Sequence, residues 1–278
     1  MPRELIHPVN PNLDVPRNFN LPYSVGVKGD GLIFLSGMTA IDSATGERKH
    51  GTAASETADI LSNMAEVLDG AGSSLANIVK ANVFLHSLLE MDSFNGAYRR
   101  FFPDAPPARN VSGVVLNSGM KVEIECIALA GGEDGSRRER SIIEPKNPLL
   151  NNSRRHNRPH SPGVRAGNLI FISGMVPLDP VTGETRLGPT AEQALVVLNN
   201  MAHLLESNGS SLNRAIKLNV SLANMLECDS FDRVMRKFFP ADRRHALLSA
   251  CSSATATASR SSVSPRLEAW RGVHAGFV

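Results

Sequence analysis

Leu32-Ile33-Phe34-Leu35-Ser36-Gly37-Met38 returns 137 residues later as Leu169-Ile170-Phe171-Ile172-Ser173-Gly174-Met175. The same offset aligns Asn63-Met64 with Asn200-Met201, Gly72-Ser73-Ser74-Leu75 with Gly209-Ser210-Ser211-Leu212, and Phe101-Phe102-Pro103 with Phe238-Phe239-Pro240. The stretch from about residue 22 to residue 103 therefore recurs without a gap at residues 159 to 240. A period this long is a whole domain, not a solenoid unit, so the chain reads as a duplication and fusion. The expected division is a first domain over 1–130, a linker rich in Gly, Asn, Arg and Ser over 131–158, and a second domain over 159–278.

Within the first copy, Ser24 to Lys28 and Leu32 to Ser36 read as a hairpin turning on Gly29-Asp30-Gly31, residues that tolerate positive φ. Ala54, Ala58, Leu61, Met64, Ala65, Leu68 and Ala71 recur at helical spacing, with Gly70 and Gly72 where such a helix would stop. Ile78 to Leu85 is apolar enough for a buried strand, and a second helix carries Phe94, Tyr98, Phe101 and Phe102 until Pro103 ends it. Val111 to Leu116 and the alternating Lys121 to Ala128 supply the last two strands. The order ββαβαββ predicts an α+β fold with helices on one face of a mixed sheet. The other face needs a cover, most simply other subunits.

At 278 residues, with 42 % hydrophobic and 20 % charged residues, the chain has the composition of a soluble protein with room for two cores. A net charge of +2 gives no strong push toward nucleic acid or an anionic membrane. The opening residues lack an apolar segment of the secretory kind, and no run of about 18 apolar residues exists, so a cytoplasmic address is expected. Cys126, Cys228 and Cys251 form no CxxC pair, which predicts reduced thiols and no structural metal.

The first copy offers no phosphate loop, HExxH, GxSxG or Cys/His pairing. It does hold Arg109 in Pro106-Pro107-Ala108-Arg109-Asn110, where a guanidinium at the mouth of a strand can clamp a carboxylate through two hydrogen bonds. Glu123 and Glu125 share one side of their strand, and Tyr23 and Asn95 are unremarkable alone. By spacing alone, each of these is more often a surface or edge residue than part of a site.

Taken together, Pro22-Tyr23-Ser24, Ser36-Gly37-Met38, Gly72-Ser73-Ser74-Leu75, Phe101-Phe102-Pro103, Pro107-Ala108-Arg109 and Val122-Glu123-Ile124-Glu125 resemble the Rid/YjgF family. The resemblance implies a chorismate-mutase-like fold and a homotrimer with clefts between subunits. It also implies cofactor-free hydrolysis of reactive 2-imino or enamine acids to 2-keto acids and ammonia. By the same resemblance, Arg109 matches the residue that binds the substrate carboxylate and Glu123 the one that positions the attacking water. Tyr23, Gly37 and Asn95 match positions that line the cleft. Where many members carry a cysteine two residues after the arginine, this chain has Val111.

The second copy departs further. The offset turns Tyr23 into His160, Asn95 into Asp232, Tyr98 into Met235 and Arg109 into Ala246, and the segment after Pro240 is six residues longer. Arg243 or Arg244 could shift into the guanidinium position, and pairing Leu267-Glu268 with Ile124-Glu125 puts Arg266 where Glu123 stood. The second copy is therefore expected to be scaffold or an altered binding site, with a Ser/Ala/Thr-rich run over 249–264 that has no evident physical reason. The alternative to the deaminase is a non-catalytic protein that binds small carboxylates or partners on the same trimeric scaffold. A ribonuclease would want a more basic surface.

Overall fold

The computed structural model describes residues 3–131, 139–240, 245–250 and 274–277, the last two stretches as backbone strands. The first unit runs β1 (Glu4–Ile6), α1 (Val15–Asn18), β2 (Gly26–Gly29), β3 (Leu32–Met38), α2 (Ala53–Gly70), β4 (Ile78–Leu85), α3 (Met91–Phe101), β5 (Ala108–Gly113) and β6 (Val122–Leu129). The second repeats it as β7 (Arg140–Ile143), α4 (Asn152–Arg155), β8 (Gly163–Ala166), β9 (Leu169–Met175), α5 (Thr190–Ser207), β10 (Lys217–Leu222), α6 (Cys228–Phe238), β11 (His245–Ala250) and β12 (His274–Phe277). Each unit is one six-stranded mixed sheet, ordered β1-β2-β3-β6-β4-β5 and β7-β8-β9-β12-β10-β11. Among the described strands, β4–β5 and β10–β11 are the pairs that run parallel. The α+β class expected from the sequence is what the chain adopts.

Local chemistry accounts for most boundaries. Asp30 and Gly31, both at positive φ, close the β2–β3 hairpin. Thr52 and Ser55 form a capping box at the start of α2, and Gly72 at positive φ follows its end. Glu56 is buried and accepts hydrogen bonds from the backbone N–H groups of Lys121 and Val122 at 2.8 and 3.1 Å, tying α2 to the start of β6. One face of the sheet packs Ile33, Leu35, Val83, Ile124 and Cys126 against Ile60, Leu61, Met64 and Phe94 of the helices.

Three expectations change. The strand expected over 111–116 is β5 at Ala108–Gly113, because the parallel register with Lys80–Leu85 begins directly after Pro106-Pro107 and leaves Val115 exposed in the following turn. The segment expected as a linker over 131–158 carries β7 and α4, the counterparts of β1 and α1, so the duplicated unit starts near the N-terminus and not at residue 22. β12 is His274–Phe277, and its register on β9 and β10 puts His274, not Arg266, at the position of Glu123. The register of β11 sets Ala246 opposite Leu218 as Arg109 is opposite Ala81. Arg243, Arg244, Arg266 and most of 249–264 lie outside the described residues.

The sheet face turned away from the helices of the first unit is partly covered by the second unit. Val79, Ala108 and Leu129 of the first pack with Val164, Ala166 and Phe171 of the second. Lys80 Nζ crosses the seam to donate to the Ile172 carbonyl at 2.6 Å, and the Ser161 backbone N–H donates to the Pro107 carbonyl at 3.1 Å. Arg140 donates to the carbonyls of Ile78 and Ala105.

Burial brings the Lys80 ammonium down to about 7, with Glu125 opposing and Lys217 adding to the shift. Between pH 7 and the ordinary lysine range the unfolded chain binds a proton that the folded chain does not, so stability rises with pH over that window. The thermal unfolding midpoint should accordingly climb between pH 7 and pH 9, and Lys80→Met should flatten that climb; equal slopes in the two proteins would show that Lys80 does not titrate there.

Candidate functional site

Arg109 enters β5 behind two prolines, and its backbone N–H donates to Ser173 Oγ of the second unit at 2.8 Å. Its guanidinium lies over the rings of Tyr98 (4.8 Å) and Phe94 (5.2 Å), both on α3. Nη2 donates to Asn95 Oδ1 at 2.9 Å, while Nη1 is buried with no hydrogen-bond partner. The residue is 4 % exposed, and burial lowers its pKa to about 10, so it stays cationic at neutral pH. A buried cation with one end of its fork unused is a group waiting for an anion, because leaving that donor unpaired is costly.

The opposite wall of this cleft comes from the second unit: His160, Gly174 and Val176, with Asn152 and Arg158 beside them. These are the counterparts, in turn, of Tyr23, Gly37, Thr39, Val15 and Leu21. His160 Nδ1 also has no partner, and burial together with Arg109 holds the imidazole neutral, with its pKa well below the usual histidine value. Among the described residues the walls carry no carboxylate. The free space is about 30 Å³, the room of a water-sized molecule.

The site residues named from the sequence fall into two groups. Arg109 and Asn95 meet in the cleft between the units. Tyr23, Gly37 and Glu123 line a separate cavity of about 380 Å³ on the first unit, shared with Arg48, Asn63 and Met38. The cleft expected between subunits is thus, for Arg109, a cleft inside one chain. Burial and the neighbouring Glu125 raise the Glu123 pKa, and its carboxylate sits where a Cβ on Gly37 would be. At Gly174 that same space is filled by Asn110 Oδ1, reaching over from β5 of the first unit. His160 and the aromatic pair under Arg109 were missed as parts of one site. The only signal in the sequence was the substitution of Tyr23 by His160 at the repeat offset.

The family model described as endoribonuclease L-PSP matches this chain twice, over residues 17–130 and 152–260. The chain belongs to that family. Its relatives include the Rid/YjgF proteins that the sequence resembles: a Bos taurus protein named 2-iminobutanoate/2-iminopropanoate deaminase is 38 % identical over 111 residues, which is 40 % of this chain and 81 % of that protein. A Schizosaccharomyces pombe protein named mmf1, mitochondrial, is 40 % identical over 112 residues, 39 % of this chain and 68 % of that protein. The crystal structure of the YjgF gene product from E. coli is 32 % identical over 39 % of this chain and 87 % of that one, with a TM-score of 0.37. Each of these matches has the length of one unit, and the family model finds both. No helix among the described residues is long and apolar enough to cross a membrane.

Gly174→Ala drives a methyl into the short Asn110 side chain at the seam, whereas Gly37→Ala meets a Glu123 carboxylate that can swing into open space. The first variant should lose about 1–3 kcal/mol and the second distinctly less, which paired thermal unfolding curves will show; equal losses would mean that Asn110 is not packed on Gly174.

Proposed function

We propose that the chain hydrolyses 2-imino acids, or the enamines from which they form, to 2-keto acids and ammonia, with Arg109 holding the substrate carboxylate in the cleft between the two units. The observation that carries this reading is the unpaired Nη1 of a buried, aromatic-stacked guanidinium whose other end is fixed by Asn95. The relatives named as imino-acid deaminases support the same reaction class.

The chemistry asks little of the protein. A protonated imine is already electrophilic; orientation of its carboxylate fixes the imine carbon, and a water must be held on one face of it. Water adds to that carbon, one of its protons passes to the nitrogen as the carbinolamine forms, and the C–N bond then breaks as the hydroxyl proton goes to the departing ammonia, leaving the carbonyl and ammonium. No cofactor is needed for these steps. The family resemblance gives the water-positioning role to Glu123, but Glu123 lines the other cavity. In the Arg109 cleft the group able to accept a proton from water is the neutral imidazole of His160.

Ammonia release from freshly generated 2-iminopropionate tests the assignment. Arg109→Lys, which keeps the charge but loses the fork, should lower kcat/KM roughly 10- to 100-fold. His160→Ala should lower it as well, and Glu123→Gln should leave it within about threefold of wild type, since a change below 1 kcal/mol at most is expected from a distant site. Loss of turnover in Glu123→Gln alone would move the reaction to the Gly37 cavity. The division of Arg109 and Glu123 between two cavities favours a second reading, a non-catalytic binder of small carboxylates. Pyruvate binding that depends on Arg109, with no ammonia release from any imino acid tried, would establish it.

A further inference from the structure

Asn110 follows Arg109 on β5 and lines the same cleft. Its amide is turned by a hydrogen bond from Nδ2 to Ser112 Oγ at 3.3 Å, and Oδ1 lies over Gly174 of the second unit. Among the described residues that oxygen accepts no hydrogen bond. Gly174 is the counterpart of Gly37 at the 137-residue offset. Over Gly37 the space of a Cβ is taken by the Glu123 carboxylate, and over Gly174 by the Asn110 amide. The two units thus set different oxygens at one backbone position, a carboxylate from the same unit in the first and an amide lent by its neighbour in the second.

The difference matters chemically. An amide oxygen accepts a hydrogen bond from water as a carboxylate does, but it carries no charge and takes no proton. It therefore does not oppose a substrate carboxylate held on Arg109, and it leaves the proton to another group. His160, whose Nδ1 has no partner, lines the same cleft. The free space beside these residues, about 30 Å³, has room for one water.

We propose that Asn110 positions the attacking water in the Arg109 cleft, with one water hydrogen on Asn110 Oδ1 and the other directed to the His160 ring. The assignment rests on the deaminase reading of this cleft. As the C–O bond forms, the C=N electron pair moves to nitrogen and the water proton on the His160 side goes to the imidazole. The ring returns that proton to the nitrogen of the carbinolamine, while the proton on Asn110 stays on oxygen as the new hydroxyl.

Two variants of nearly equal shape separate this role from packing. Asn110→Leu removes the acceptor; its kcat on 2-iminopropionate should fall roughly 10- to 100-fold with KM within about threefold of wild type. Asn110→Asp restores an acceptor; its kcat should stay within about threefold of wild type while KM rises, because the added charge opposes the substrate carboxylate. A crystal structure of the wild type with pyruvate, which needs no variant to fold, should show a water on Asn110 Oδ1 facing the keto carbon. Wild-type kcat in Asn110→Leu, an Asn110→Asp variant as slow as Asn110→Leu, or a pyruvate complex without that water would each overturn the role of Asn110 and leave the deaminase reading standing. A wild type that releases no ammonia from any imino acid would overturn both.

Discussion

The seating of β5 on β9 is the constraint from which the rest of the structure follows. A mixed sheet with helices on one side leaves an apolar face, and here a single chain covers part of that face with its own duplicate. The contact is held by polar groups as well as by burial. The Arg109 backbone N–H on Ser173, the Ser161 N–H on Pro107 and the Lys80 ammonium on Ile172 leave little freedom for the two sheets to slide. Shifting the register would bury a lysine without an acceptor, an outcome costlier than most apolar repacking.

The same contact makes the candidate cleft around Arg109. Arg109 is positioned from below by Phe94, Asn95 and Tyr98 of its own unit and faced by His160 and Gly174 of the other. Duplication has thus turned a repeated half-site into two unequal ones. One has the guanidinium and an imidazole, and the other has Tyr23 and Glu123 in a larger cavity. Among the described residues Arg109 and Glu123 line different cavities, and the strand position of Arg109 is held in the second unit by Ala246. The two copies therefore specialise by what each lends to the other.

Much of this was legible in the residues. The 137-residue offset, the hairpin at Asp30-Gly31, both long helices and Ile78–Leu85 follow from turn chemistry and periodicity, which act over a few residues. Arg109 behind Pro106-Pro107 is bland by spacing alone and gains its weight from the set of motifs that carries the family resemblance. What could not be read was which cavity each site residue enters, because that depends on how one sheet lies on another. The β7–α4 segment reads as a linker by composition alone, although the 137-residue offset runs on through it, placing Ile6, Pro8, Asn10, Pro11 and Leu13 on Ile143, Pro145, Asn147, Pro148 and Leu150, and its pairing matches that of β1. The last strand was misplaced for a similar reason: matching Leu267-Glu268 to Ile124-Glu125 by type ignored the backbone register, which belongs to His274–Phe277.

The central claim is that the ligand is held between the two copies of one chain, by Arg109 from the first and His160 from the second. A double-mutant cycle on pyruvate affinity, built from Arg109→Lys, His160→Ala and their combination, tests it most directly. The account predicts a coupling energy above about 0.5 kcal/mol, the figure within which independent sites add. Strictly additive effects for that pair, with coupling instead between Arg109→Lys and Glu123→Gln, would contradict it.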